Sequence, residues 1–337
     1  MTLLSIAVPS YNSEQYLHYC VEALSIGGDQ VEILIINDGS RDHTQEVAEQ
    51  LAQKHSNVRA IYQENKGHGG AVNTGLREAK GLYFKVVDSD DWVDSRAYLK
   101  VLETLQMLEE AATPVDAFIT NFVYEKEGSN RKRSMSYPKV LPEERIFTWE
   151  DIGNFKTGQY MMMHSLIYRT ELLRKIQFSL PEHTFYVDNI FVFTPLQAVE
   201  KMYYLPVDFY RYLIGREDQS VNEEIMISRI DQQLAVNKIL IKEMRIDQIR
   251  EEKLLQYLLN HVEITSVISS ALLNKAGSRA HMEKKRELWA YMKSENPALY
   301  RLLRKTKLSR MVNQPGYPGR KLSNGIYRLA RRLYGFN

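Results

Sequence analysis

Three carboxylates stand almost side by side in GLYFKVVDSDDWVD, residues 81–94: Asp88, Asp90 and Asp91, with Ser89 between the first two and Trp92 behind. An apolar run leads straight into them, so they fall where a buried strand ends. Unit charges about 4 Å apart repel by roughly 4 kcal/mol at an effective dielectric of ~20, and a hard divalent cation is one agent that offsets this. Oxygen ligands completed by water and phosphate suit Mg2+ or Mn2+. A calcium-binding EF-hand loop is excluded, because its obligatory Gly and Glu positions, counted from Asp88, are Val93 and Leu99.

Other polar residues fall at similar places. Ser10 and Asn12 lie in PSYN, and Asp38, Gly39 and Ser40 lie in NDGS, each directly after an apolar run. Taken singly they read as turn or cap chemistry. A cation held by few carboxylates with waters to spare bridges a diphosphate, which points to a nucleotide substrate. The glycine-rich stretch NKGHGGAVNTG is not a dinucleotide fingerprint, since the third Gly of G-x-G-x-x-G would fall at Val72, and no phosphate-loop G-x-x-x-x-G-K-[ST] occurs.

The elements that must position these groups are legible in the first 125 residues. Strand-like runs at 3–8, 31–37, 58–63, 82–87 and 116–123 alternate with helix-like stretches, NSEQYLHYCVEAL opening on Asn12 or Ser13 and DHTQEVAEQLAQKH on Asp42. Unbroken apolar strands alternating with helices predict a mostly parallel sheet covered on both faces. In such sheets ligands sit beyond the carboxyl ends of the strands, where the polar groups above converge. Residues 126–160 are polar and irregular and read as a loop or lid. Short runs rich in Tyr, Met and Phe return over 161–215. From about 223 apolar residues such as Ile230, Leu234, Leu254, Leu258 and Val262 recur at helical spacing, predicting a separate helical region.

The bulk numbers fit a globular chain of about two domains: 337 residues, 44% hydrophobic and 26% charged. The net charge of +2 hides an asymmetry: residues 301–337 carry ten Lys or Arg and no Asp or Glu, leaving 34 basic against 42 acidic residues before them. An acidic body with a basic tail argues against a nucleic-acid binder. SNGIYRLARRLYGF within the tail places Ile326, Leu329, Ala330, Leu333 and Tyr334 on one helical face, a basic amphipathic helix suited to a membrane surface or a partner helix. A start without a charged leader, no apolar run of membrane-spanning length and a single cysteine, Cys20, predict a cytoplasmic protein, with peripheral contact at the inner face of the membrane through that tail.

PSYN, IINDGSRDHT, ENKGHGGAVNTG, FKVVDSDDWVD, YVDNIF and GREDQS follow in the order and approximate spacing of family 2 glycosyltransferases of the GT-A fold, and the chain resembles that family over about residues 3–222. The resemblance implies an α/β GT-A catalytic domain at 1–222, its nucleotide-sugar half at about 1–125 and its acceptor half at 126–222. A helical region at 223–312, for acceptor binding or oligomerisation, and the tail helix at 313–337 are appended. It implies a metal-dependent, inverting, non-processive transfer of one hexose from a UDP-sugar to a hydroxyl of a glycan, glycoprotein or lipid-linked acceptor, in bacterial surface glycan or glycoprotein assembly. Ser10 and Asp38 would hold the base and ribose, Asn12 and Asn73 would line the nucleotide and sugar side, Asp88 would reach the ribose and sugar, and Asp90 would ligate Mn2+ or Mg2+. Asp188 would be the general base that deprotonates the acceptor hydroxyl, while Arg216 and Ser220 would act on the departing diphosphate and its loop.

Where the family often places Glu-Asp, this chain has Val187 and Asp188, for which a helix cap is the bland alternative. Asp91 stands between acceptor contact and helix cap, and His164, Tyr160 and Met161–Met163 between an acceptor pocket and ordinary core. The Q-x-x-R-W pattern of processive members is absent. A sugar nucleotidyltransferase would carry G-G-x-G-x-R after the first strand, where PSYNSEQ stands. A non-catalytic nucleotide-sugar scaffold conflicts with the intact Asp38, Asp88, Asp90 and Asp188.

Overall fold

The computed structural model describes residues 2–126, 128, 132–155, 159–215, 222–314 and 325. They group into two compact units, Met1–Gly153 with Met161–Ile214, and Asn154–Tyr160 with Gly215–Asn337. Residues 154–160, read from sequence as part of the catalytic half, thus group with the helical region.

The first unit alternates strand and helix in the expected order: β1 (Leu4–Ser10), α1 (Leu17–Ser25), β2 (Val31–Asp38), α2 (Thr44–Lys54), β3 (Val58–Gln63), α3 (Gly67–Glu78) and β4 (Tyr83–Val86). There follow β5 (Trp92–Val93), α4 (Ser95–Glu110), β6 (Ala117–Lys126), β7 (Lys132–Met135), β8 (Ile146–Phe147), β9 (Leu166–Arg169), α5 (Thr170–Lys175), α6 (Asp188–Leu196) and β10 (Met202–Ile214). The sheet runs β3-β2-β1-β4-β9-β6-β10-β5. Pairing is parallel from β3 to β4 and between β6 and β10, while β9 lies antiparallel between β4 and β6. Every residue of β1, β2 and β4 is buried, which is why these strands read as unbroken apolar runs. The helices instead bury a stripe, Leu17, Cys20, Val21 and Leu24 on α1 and Thr44, Ala48 and Leu51 on α2.

Two local expectations change. The loop expected at 126–160 contains β7, which folds back antiparallel on β6, and β8, which pairs with β10. An edge strand such as β7 is mostly exposed, so it carries no apolar alternation to read. Neither Asn12 nor Ser13 opens α1, which begins at Leu17; Asn12 adopts a left-handed φ of 50° and bonds across to the next strand's loop, its amide to Ser40 Oγ and its Oδ1 to the Arg41 amide.

The second unit contains α7 (Glu223–Ser228), α8 (Ile230–Glu243), α9 (Glu252–Ala276), α10 (Arg279–Glu295), α11 (Pro297–Leu303) and α12 (Lys307–Val312). The long α9 stops at Gly277, whose φ of 71° closes the helix in the left-handed region. Buried hydroxyls along α9 satisfy its neighbours: Ser269 and Ser266 pair with Asn237, and Ser270 accepts from the Trp289 indole. The tail helix expected at 313–337 lies outside the described residues apart from 313, 314 and 325. Among the described residues no helix is long and apolar enough to cross a membrane.

Candidate active site

The three carboxylates are not equivalent. Asp88 and Asp90 are partly exposed where β4 ends, whereas Asp91 is fully buried. The chain turns between them, the Asp91 amide reaching the Asp88 carbonyl at 3.0 Å, and continues into β5 against β10. Asp91 ties that turn to β10, accepting from Tyr210 Oη at 2.6 Å and from the Leu213 amide at 2.8 Å. The helix cap is Asp94, which accepts from the Ala97 amide, so Asp91 does not cap α4. Burial, followed by the charges of Asp90 and Asp88, pushes the Asp91 carboxyl well above the ordinary aspartate range. The bonds from Tyr210 and Leu213 relieve part of the repulsion legible in DSDD.

A second relief is His68, which sequence reasoning missed. It sits in the first turn of α3, and its Nε2 lies 2.8 Å from Asp88 Oδ1. Burial disfavours the imidazolium, but the hydrogen bond and charge of Asp88, with the charges of Asp188 and Asp90, hold His68 above its ordinary value. Burial likewise raises Asp88, yet the His68 bond and the charges of His68, His164 and Lys85 outweigh it and hold Asp88 low. The only sequence signal was a lone His between glycines, in a stretch whose glycine spacing drew attention instead.

His164 reaches the same place from a short turn, Met163–Ser165, with Nε2 3.9 Å from Asp88 Oδ2. Its ring stacks on Tyr212 at 4.3 Å, and burial pulls its pKa down to about 3. The turn is held by Lys85, buried within β4, whose ammonium donates to the carbonyls of Met163, His164 and Leu166 at 2.9, 2.7 and 3.2 Å. One ligand atom from each of Asp88, Asp91 and His164 lies within 4.8 Å of the others, so a divalent cation fits this set, with carboxylate oxygens joined by one imidazole.

Asp38 is buried at the end of β2, where Oδ1 accepts from Gln63 Nε2 at 2.6 Å and from the Lys66 amide at 2.8 Å. Ser10, equally buried at the end of β1, donates to the Val8 carbonyl. Asn73 faces elsewhere: its amide makes a two-way pair with the Leu180 backbone at 2.8 Å in each direction.

Asp188 is the first residue of α6, and Val187 takes the cap position without a side-chain cap bond, so the cap alternative does not describe Asp188. Burial raises its pKa above the ordinary value, opposed by bonds from Asn189 and the charge of His68, and reinforced by Asp88. These mutual influences bring Asp188, His68 and Asp88 into one electrostatic neighbourhood. Tyr160 belongs to the second unit, where it packs edge-on against His261 at 5.6 Å. Arg216 and Ser220 lie outside the described residues.

The family model described as glycosyl transferase family 2 matches residues 5–172. The chain is 29% identical over 217 residues to the uncharacterized glycosyltransferase EpsJ of Bacillus subtilis, covering 62% of this chain and 60% of that protein. It is 37% identical over 188 residues to glycosyltransferase GlyG of Streptococcus pneumoniae, covering 52% of this chain and 60% of that protein. The chain therefore spans about 60% of the length of these two relatives. A crystal structure of S. aureus TarS 1–349 in complex with UDP-GlcNAc superposes with a TM-score of 0.71 at 19% identity, covering 99% of this chain and 91% of that one, and shares the GT-A fold. Through residues 5–172, the chain belongs to glycosyl transferase family 2.

Proposed function

We propose that this chain is an inverting transferase that moves one hexose from a UDP-sugar to a hydroxyl of a bacterial surface glycan, glycoprotein or lipid-linked acceptor. The observation that carries the reading is Asp188, a half-buried carboxyl of raised pKa in the field of His68 and Asp88, at the start of a helix. A sugar hydroxyl is a poor nucleophile, and a carboxylate so raised is a better general base than an ordinary one.

In this reading Asp38 and Ser10 hold the uridine, and Asn12 shapes the adjoining loop. His68 keeps Asp88 ionised and oriented toward the ribose and sugar. Asp88, Asp91 and His164 offer the converging ligand atoms that would hold a divalent cation, with Asp90 of the same turn as a further ligand, and the cation would supply neutralisation of charge growing on the departing diphosphate. A set that mixes imidazole with carboxylate suits Mn2+ better than Mg2+, which prefers oxygen alone. Arg216 and Ser220 complete the diphosphate side. The helical region serves acceptor binding or self-association, and the basic tail serves contact with the inner face of the membrane.

The test is UDP release from UDP-glucose, UDP-galactose, UDP-GlcNAc and UDP-GalNAc with Mn2+ present. Metal-dependent release of UDP with free sugar is the expected result. Formation of UTP from a UDP-sugar and pyrophosphate would replace this reading with nucleotidyl transfer.

A further inference from the structure

The segment that delivers Asp188 is fastened to α3. Leu180 is held at both backbone groups by Asn73, its carbonyl accepting from Nδ2 and its amide donating to Oδ1, each at 2.8 Å. A two-way pair fixes the orientation of the amide, because a flipped Asn would face donor with donor and acceptor with acceptor. Three residues on, the His183 amide donates to the Lys66 carbonyl at 2.7 Å, and Lys66 Nζ lies 3.4 Å from Glu182.

The glycines of ENKGHGG make room for this fastening. A Cβ on Gly69 would stand 2.4 Å from the Pro181 carbonyl oxygen, and one on Gly67 would stand 2.9 Å from the His183 nitrogen, at a φ of 74°. The fastened segment is also conformationally costly. His183 and Tyr186 adopt φ of 49° and 65°, a region non-glycine residues enter at roughly 1–3 kcal/mol each and keep only when their surroundings enforce it. Asp188 follows Tyr186 by two residues, and the Tyr186 carbonyl accepts from the Asn189 amide as α6 begins.

We propose that Asn73 is a positioning residue for the general base: through Leu180 and the 180–187 segment it sets where Asp188 stands, and it is not a ligand of the donor. The glycine-rich stretch is then a seat for the base-bearing segment, and its one histidine, His68, reaches past that seat to Asp88. The inference rests on the reading of Asp188 as the base.

The test uses the full chain and four variants, Asn73→Ala, Asn73→Asp, Gly69→Ala and Asp188→Asn, with thermal melting to confirm folding. Three readouts are taken: hydrogen exchange of backbone amides over 181–191, UDP affinity by calorimetry with Mn2+, and UDP release from UDP-GlcNAc. Asn73→Ala and Gly69→Ala are expected to speed exchange over 181–191 and slow UDP release by about 10–100-fold, the loss typical of a reacting group displaced by about 1 Å. UDP affinity should stay within about twofold, and Asn73→Asp, which keeps the acceptor for Leu180, should fall between Ala and wild type. Adding Asp188→Asn to Asn73→Ala should cost little more than Asp188→Asn alone. Unchanged exchange in Asn73→Ala, or a loss of UDP affinity of about tenfold or more, overturns the proposal. Wild-type UDP release by Asp188→Asn overturns the general-base reading instead, and exchange with UDP affinity still judges the fastening.

Discussion

His68 Nε2 and Asp88 Oδ1 lie 2.8 Å apart, joining the first turn of α3 to the end of β4. The bond turns a crowded anionic turn into a paired one. Charge-assisted hydrogen bonds contribute about 1.5–3 kcal/mol, so His68→Ala is expected to lower the specificity constant for the donor by roughly 10–100-fold. Steady-state UDP release at varied donor concentration measures it, and an unchanged constant would detach His68 from the site.

The pH dependence follows from Asp188. Its pKa is raised above the ordinary 3.8 by burial, and a base works only when ionised. Turnover should therefore fall as pH drops through that raised value, so the acid limb of the kcat profile lies above 3.8. Asp188→Asn should lose about 10²–10⁴ in rate and lose that limb. A variant that keeps both rate and limb would remove Asp188 from the chemistry.

Chelation tests the cation. Wild type stripped with EDTA should lose UDP release and regain it more fully with Mn2+ than with Mg2+, whereas Asp90→Ala should regain almost none with either. His164→Ala should keep activity and narrow the gap between the two ions, because it removes the one nitrogen from the set. Full activity of chelated wild type would refute a metal-dependent reaction.

Lys85 makes a prediction about stability. Burial pulls its ammonium down to about 7, against the favourable charges of Asp88 and Asp91. From that value up to the ordinary 10.5 the unfolded chain binds more protons than the folded one, so the lysine's contribution to stability rises with pH across this window. Lys85→Met removes that titration and leaves three carbonyls, those of Met163, His164 and Leu166, without their donor. The difference in urea midpoint should therefore shift in favour of wild type between about pH 7 and about pH 9. A constant difference would show that Lys85 is not buried as a charge.

Much of the nucleotide half was readable from the chain because β1, β2 and β4 are buried on both faces and each ends in its own polar group. β1, β2 and β4 announce themselves as apolar runs, and Ser10, Asp38 and Asp88 follow them directly. The strand β7 carried no such mark: it is charged and mostly exposed, and residues 126–160 read as loop. Asp91 was equally opaque, since nothing adjacent in sequence says that Tyr210 and Leu213 will bond to it.

By itself the sequence determined the alternation of buried strands and amphipathic helices, the carboxylate turn after β4 and the family of the first half of the chain. Hydrophobic period and local turn chemistry are properties of neighbouring residues, so they survive in one dimension. Tertiary structure decided which carboxylate keeps its charge, that His68 is its partner, and that Asn73 grips Leu180, 107 positions away. Burial and pairing set those outcomes, and both depend on which distant segments the fold brings within hydrogen-bond reach.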